Sequence, residues 1–187
     1  VLGRVLNALA NDFDMKLSTL SGGLKDNAIP TDAEAVVIFS DTDMSDINTP
    51  GHADIPANSA HASLQDLISK WNQIIRHECA HTDPDICITL EPVDLPAATM
   101  TDTSTHTVID VLMTYPNGVR KMSKDIAGLV QTSLNLGILS TIKPDDQSTN
   151  GMVSFKSSVR SSIGSEKDAL LNSLKSLATL AGGTLTV

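Results

Sequence analysis

From Val153 to Gly183 the apolar positions change period once. Val153, Phe155 and Val159 alternate as on a half-buried strand, with the series broken at Ser157. Leu170, Leu171, Leu174, Leu177 and Leu180 then recur at helical spacing. Ser165 stands as an N-cap, Asp168 completes a capping-box-like pair, and Gly182 with Gly183 supplies the stop. The pattern predicts a strand ending near Arg160, a Ser-rich corner and a helix over Glu166 to Ala181.

The rest of the chain reads the same way. Leu2, Val5, Leu6 and Leu9 give a helical face over Val1 to Ala10. Met15 and Leu17 alternate into a turn at Ser21, Gly22 and Gly23. Asn27 to Pro30 is a tight entry to a strand over Ala33 to Ser40. Asp41 to His61 is rich in Asp, Pro, Ser and Asn and predicts a long exposed loop. A helix capped by Ser63 carries Leu64, Leu67, Ile68, Trp71, Ile74 and Ile75 and runs to His81, with Pro84 as its stop. Ile86, Ile88 and Leu90 predict a strand over Asp85 to Glu91, and Pro92 to Thr105 a connection. Beyond it come a strand over Thr107 to Tyr115, a turn at Pro116, Asn117 and Gly118, and a helix from Ser123 to Leu134. A strand over Gly137 to Lys143, a polar turn over Pro144 to Asn150 and a final strand over Thr184 to Val187 complete the reading.

As elements, the first half reads α-β-β-α-β and the second β-α-β-β-α-β. The second order is the split βαβ unit, and the first lacks only its leading strand. The expected fold class is therefore α+β: two ferredoxin-like halves, 1–92 and 106–187, joined by 93–105. They share an antiparallel or mixed sheet with helices packed on one face.

Composition narrows the function. The 187 residues are 41% hydrophobic but only 3% aromatic, so the core must be built from aliphatic side chains. A net charge of −9 disfavours nucleic acid and anionic membrane as partners. The two cysteines, Cys79 and Cys87, suit reduced thiols in a cytosolic protein, with a disulfide as the alternative.

Two features carry chemistry. His77, Glu78, Cys79, Ala80 and His81 spell H-E-x-x-H, the zinc-peptidase motif in which two histidines bind metal and the glutamate is the base. Pro84 occupies the place of the extended motif's glycine, and the helix stops almost at once. Glu78 falls on the apolar stripe while the histidines flank it. A solvent-facing helix end is the preferred reading, with no metal ligand assigned in this chain. Arg160 lies between a strand end and a helix N-terminus, where unpaired N–H groups and the helix dipole favour a carboxylate. Its simpler role is a surface ion pair.

Three segments resemble the aminoacyl-histidine (Xaa-His) dipeptidases, a cytosolic branch of the co-catalytic zinc metallopeptidases related to carnosinases. They are LSTLSGGLKDNAIP at Leu17 to Pro30, YPNGVRKMSKDIAGLVQTSLNLGIL at Tyr115 to Leu139, and VRSSIGSEKDALLNSLKSLATLAG at Val159 to Gly182. All match the family's lid, or dimerisation, domain. The family's metal ligands lie in a catalytic domain that this chain lacks, as it lacks the Gly-Gly-His-Ser-Gly stretch that would precede Val1. Asp26 stands where relatives carry a basic residue. The resemblance implies a lid from a cytoplasmic dizinc enzyme that hydrolyses Xaa-His and related dipeptides. Zinc is held by the catalytic domain, whose glutamate is the general base toward a metal-bridged water. Implied partners are the dipeptide, the chain's own catalytic domain and a second copy of the lid. Arg160 matches the lid arginine that grips the substrate's C-terminal carboxylate. Asn27 either donates to the substrate or shapes the turn before Pro30, the turn being preferred. The alternative function is a stand-alone α+β oligomerisation or small-molecule-binding module.

Overall fold

The computed structural model describes residues 1–40, 59–142 and 151–187. The expected loop over Asp41 to His61 lies outside the described residues except at its end, and the turn over Pro144 to Asn150 lies wholly outside them. The described elements are α1 (Leu2–Asp12), β1 (Met15–Gly22), β2 (Ala33–Phe39), α2 (Ser59–Glu78), α3 (Asp102–Thr114), β3 (Gly118–Met122), β4 (Val130–Ile142), β5 (Met152–Ser161) and α4 (Gly164–Leu180).

The five strands form one sheet in which every pairing is antiparallel. β4 is its centre. β5 pairs along one side of β4, from Thr132↔Ser161 to Ile142↔Met152. The other side is shared: β3 pairs near its start (Gly118↔Leu134), and β1 meets it further on at Ser21↔Ser140 and Gly22↔Leu139. β2 closes the far edge against β1.

Alternation along the strands sends one set of side chains toward the helices. Met15, Leu17, Leu20 and Leu139 are buried with Val5, Leu6 and Leu9 of α1, Leu64 and Ile68 of α2 and Ile109 of α3; Val153 and Phe155 pack against that cluster. A smaller cluster joins Leu134 to Leu170 and Leu174 of α4, with Tyr115 and Val159 beside it. Helices thus cover one face of an antiparallel sheet, the α+β arrangement the periodicities imply. Ser157 breaks the apolar series because the Tyr115 hydroxyl meets its Oγ there at 2.7 Å. Burial raises the tyrosine's pKa.

Local assignments differ from the sequence reading where tertiary contacts outweigh pattern. Thr107 to Tyr115 is not a strand but most of α3. Thr101 caps that helix through Ser104 N–H at 3.1 Å, and Leu112 packs so closely on Gly3 of α1 that a Cβ there would crowd it. Ser123 to Leu134 is not a helix. Ser123 does cap, but it caps a turn: its Oγ accepts the N–H groups of Asp125 and Ile126, and its own N–H bonds Leu129 O at 2.8 Å. The chain then enters β4, which begins seven residues earlier than the expected Gly137.

Asp85 to Glu91 alternates as expected yet joins no strand. Asn72 of α2 replaces the neighbour: its amide donates to Ile88 O at 2.8 Å and accepts Ile88 N–H at 2.7 Å. Thr184 to Val187 is likewise not a strand. α2 begins at Ser59, so Ser63 lies within it rather than capping it; α4 begins at Gly164 with Ile163 at the N-cap, not Ser165. The observed order is therefore α-β-β-α followed by α-β-β-β-α, in place of the expected α-β-β-α-β and β-α-β-β-α-β.

Candidate functional site

The face of the sheet away from the helices carries the candidate residues. On β5, Ser158 and Arg160 alternate with the helix-side Ser157 and Val159. On β4, Ser133 and Asn135 lie on the same open face, in register with Arg160 and Ser158 respectively. Arg160 thus has Ser133 directly opposite and Asn135 diagonally across, at about 7–8 Å between such backbone positions. Arg160 is exposed, and among the described residues it makes no ion pair. The surface-pair reading finds no carboxylate partner there.

The acidic residue nearest along the chain is committed elsewhere. Glu166, in the first turn of α4, accepts Gln131 Nε2 and Thr132 Oγ1, both at 2.7 Å, and pairs with Lys121 Nζ. These donors hold its pKa down to about 2, the lysine contributing most. Thr132 Oγ1 also meets Ser161 Oγ at 2.9 Å, and Ser161 Oγ accepts Ile163 N–H. The corner that follows Arg160 is therefore tied to β3, β4 and α4 on the helix side of the sheet.

Asn27 comes to the same open face by a different route. Ala28 N–H bonds Lys25 O at 3.3 Å, closing a turn with Asp26 and Asn27 at its centre. The turn is pinned to β4, because Asn135 Nδ2 donates to Asp26 O at 3.2 Å and to Ala28 O at 2.7 Å. Gly137 sits at a bulge in β4, unpaired between Leu136 and Ile138. A Cβ on Gly137 would collide with the Asp26 backbone, and one on Gly23 with Gly137 O. Asn27 itself is exposed, with no side-chain hydrogen bond among the described residues. Sequence reading missed Asn135 and Gly137; the signal was an Asn and a Gly interrupting a Leu-rich strand.

The H-E-x-x-H stretch has another use. Glu78 takes both amino groups of Arg4, at 2.6 and 2.9 Å, and the same guanidinium lies 5.0 Å from the Trp71 ring centroid. The pairing lowers the Glu78 pKa and raises that of Arg4. Glu78 faces α1, as its place on the apolar stripe implies. Among the described residues no group of three or more His, Cys, Asp or Glu could hold a metal ion. The zinc that the resemblance implies is assigned to the catalytic domain and not to these residues. No helix among them is long and apolar enough to cross a membrane.

Comparison with known proteins places the chain beside dipeptidases. It is 30% identical over 182 residues to the cytosol non-specific dipeptidase of Escherichia coli strain K12, covering 97% of this chain and 33% of that protein. Its fold matches the crystal structure of aminoacylhistidine dipeptidase from Vibrio alginolyticus with a TM-score of 0.79 and 28% identity, over 97% of this chain and 32% of that one. No family model matches. The chain thus spans about a third of the length of the relatives it matches, and the resemblance to part of such an enzyme holds over nearly all of it.

Proposed function

We propose that this chain is the lid domain of a dipeptidase that hydrolyses Xaa-His and related dipeptides, with Arg160 as the anchor for the substrate's C-terminal carboxylate. The observation that carries the reading is a guanidinium on the open face with no ion pair among the described residues, in a chain similar over 97% of its length to about a third of the length of two dipeptidases. A guanidinium is a rigid fork of donors that stays charged at any working pH, so it holds both carboxylate oxygens at once. Holding the carboxylate also measures the peptide from its C-terminus. Asn27 either lends a second donor from the turn opposite or only shapes that turn.

Zinc, in this proposal, belongs to the parent enzyme's catalytic domain, outside this chain, as does the general base. The lid contributes binding and orientation only. The parent works in the cytoplasm.

The test is Arg160→Ala in the full-length enzyme. kcat/KM on a Xaa-His dipeptide should fall by about 10²-fold, corresponding to about 2–3 kcal/mol for a lost charged hydrogen-bond pair. Unchanged kcat/KM would return Arg160 to ordinary surface solvation and remove the anchor from the proposal.

A further inference from the structure

The turn that carries Asn27 has little of its own to hold it in place. Leu24 and Ile29, the large apolar residues flanking it, are 87% and 84% exposed, so burial does not anchor them. At its base Gly23 N–H bonds Asp32 O at 3.3 Å. Its fixed position over the sheet comes from β4: two bonds from one Asn135 amide, and the backbone of Asp26 resting where Gly137 has no side chain. Asn135 is also the diagonal neighbour of Arg160. One side chain therefore links the turn to the strand pair that bears the anchor.

We infer that Asn135 is a positioning residue that fixes the gap between the Arg160 guanidinium and the Asn27 turn, and so the length of peptide the lid accepts. The inference rests on the reading of Arg160 as carboxylate anchor. An added residue extends a peptide by roughly 3.5 Å, so a turn held rigidly beside the anchor discriminates one residue from the next. A turn released from Asn135 would drift away from β4, because neither Leu24 nor Ile29 pulls it back.

The experiment uses the full-length enzyme with a Xaa-His dipeptide and the tripeptide made by adding one C-terminal residue. Asn135→Leu keeps the branched outline of the side chain and removes the donor. It should raise KM for the dipeptide about 10-fold with kcat within about twofold, because a misplaced binding element costs affinity before chemistry. The dipeptide-to-tripeptide ratio of kcat/KM should fall by about the same factor. Asn135→Gln keeps an amide donor and should recover much of both. Gly137→Ala should act in the same direction as Asn135→Leu by pushing the turn off β4, and it decides the matter if Asn135→Leu does not fold. Folded variants at either position that keep wild-type KM and wild-type length discrimination would overturn the inference. Arg160→Ala, run alongside, separates the two readings. If it leaves kcat/KM unchanged, the anchor itself is wrong. If it is impaired while the Asn135 and Gly137 variants are not, only the positioning role is wrong.

Discussion

Ser133 on β4 lies directly opposite Arg160 on β5, so the guanidinium rises from the open face beside a hydroxyl and finds no carboxylate among the described residues. The proposed carboxylate anchor needs the planar fork and not merely the charge. Arg160→Lys in the full-length enzyme should therefore recover no more than about a tenth of the activity lost in Arg160→Ala, by analogy with other forked carboxylate sites. Steady-state kinetics on a Xaa-His dipeptide reads it; full recovery by lysine would show that charge alone suffices.

Glu166 makes a pH-dependent contribution whose sign is fixed by its depressed pKa. The carboxyl titrates at about 2 when folded, against about 4.3 for an ordinary glutamate. The stabilisation is fully present above the unfolded value and is lost as pH falls toward the folded one. Glu166→Gln should melt below the wild type at pH 7, and the gap should close between about pH 5 and pH 2. Thermal melts across that range check it; a gap constant with pH would assign the effect to packing.

Thr105 is fully buried in α3, and its Oγ1 accepts Leu17 N–H at 3.2 Å. Among the described residues β4 meets β1 only at Ser21 and Gly22, so on the side of Leu17 away from β2 this hydroxyl stands in for a strand neighbour. Thr105→Val keeps the shape and strands the N–H. It should cost about 1–3 kcal/mol in urea unfolding. A loss below about 0.5 kcal/mol would mean that the N–H finds another acceptor.

The H-E-x-x-H residues should hold no stoichiometric zinc in this chain. Glu78 is bound to Arg4, and no third ligand joins His77 and His81 among the described residues. Metal analysis of protein purified without an affinity tag is the check, and a tightly held zinc lost in His77→Ala would restore the motif to a metal role.

β5 pairs only with β4, which leaves its outer side without a strand neighbour among the described residues. An edge of this kind can pair with a second copy. A weak dimer is expected, measurable by sedimentation over a range of concentrations. A mass that stays monomeric at the highest of them would sink the expectation.

Much of this was legible in the residues alone. The stripes on α1, α2 and α4, the alternation of β2 and β5 and the helices' single-sided burial all follow from where the leucines, valines and isoleucines stand. Such patterns are local and survive whatever the rest of the chain does. Arg160 at a strand end beside a helix start, and the turn before Pro30, were equally plain. The resemblance to dipeptidases rested on motifs that no fold was needed to see.

Tertiary structure decided the ambiguous stretches. Thr107 to Tyr115 is rich in β-branched residues, yet packing on Gly3 and a Thr101 cap make it a helix. Ser123 offers a cap to a helix or a turn equally, and the β4 pairings chose the turn. Ile86 to Leu90 has a strand's alternation, but Asn72 supplies the hydrogen bonds a neighbouring strand would give. The gathering of Asn27, Asn135 and Arg160 on one face depends on a bulge at Gly137 and on pairings between residues far apart in the chain. Periodicity gives the face a residue presents within its own element. Which elements meet is set by long-range hydrogen bonds and packing, and no local pattern encodes them.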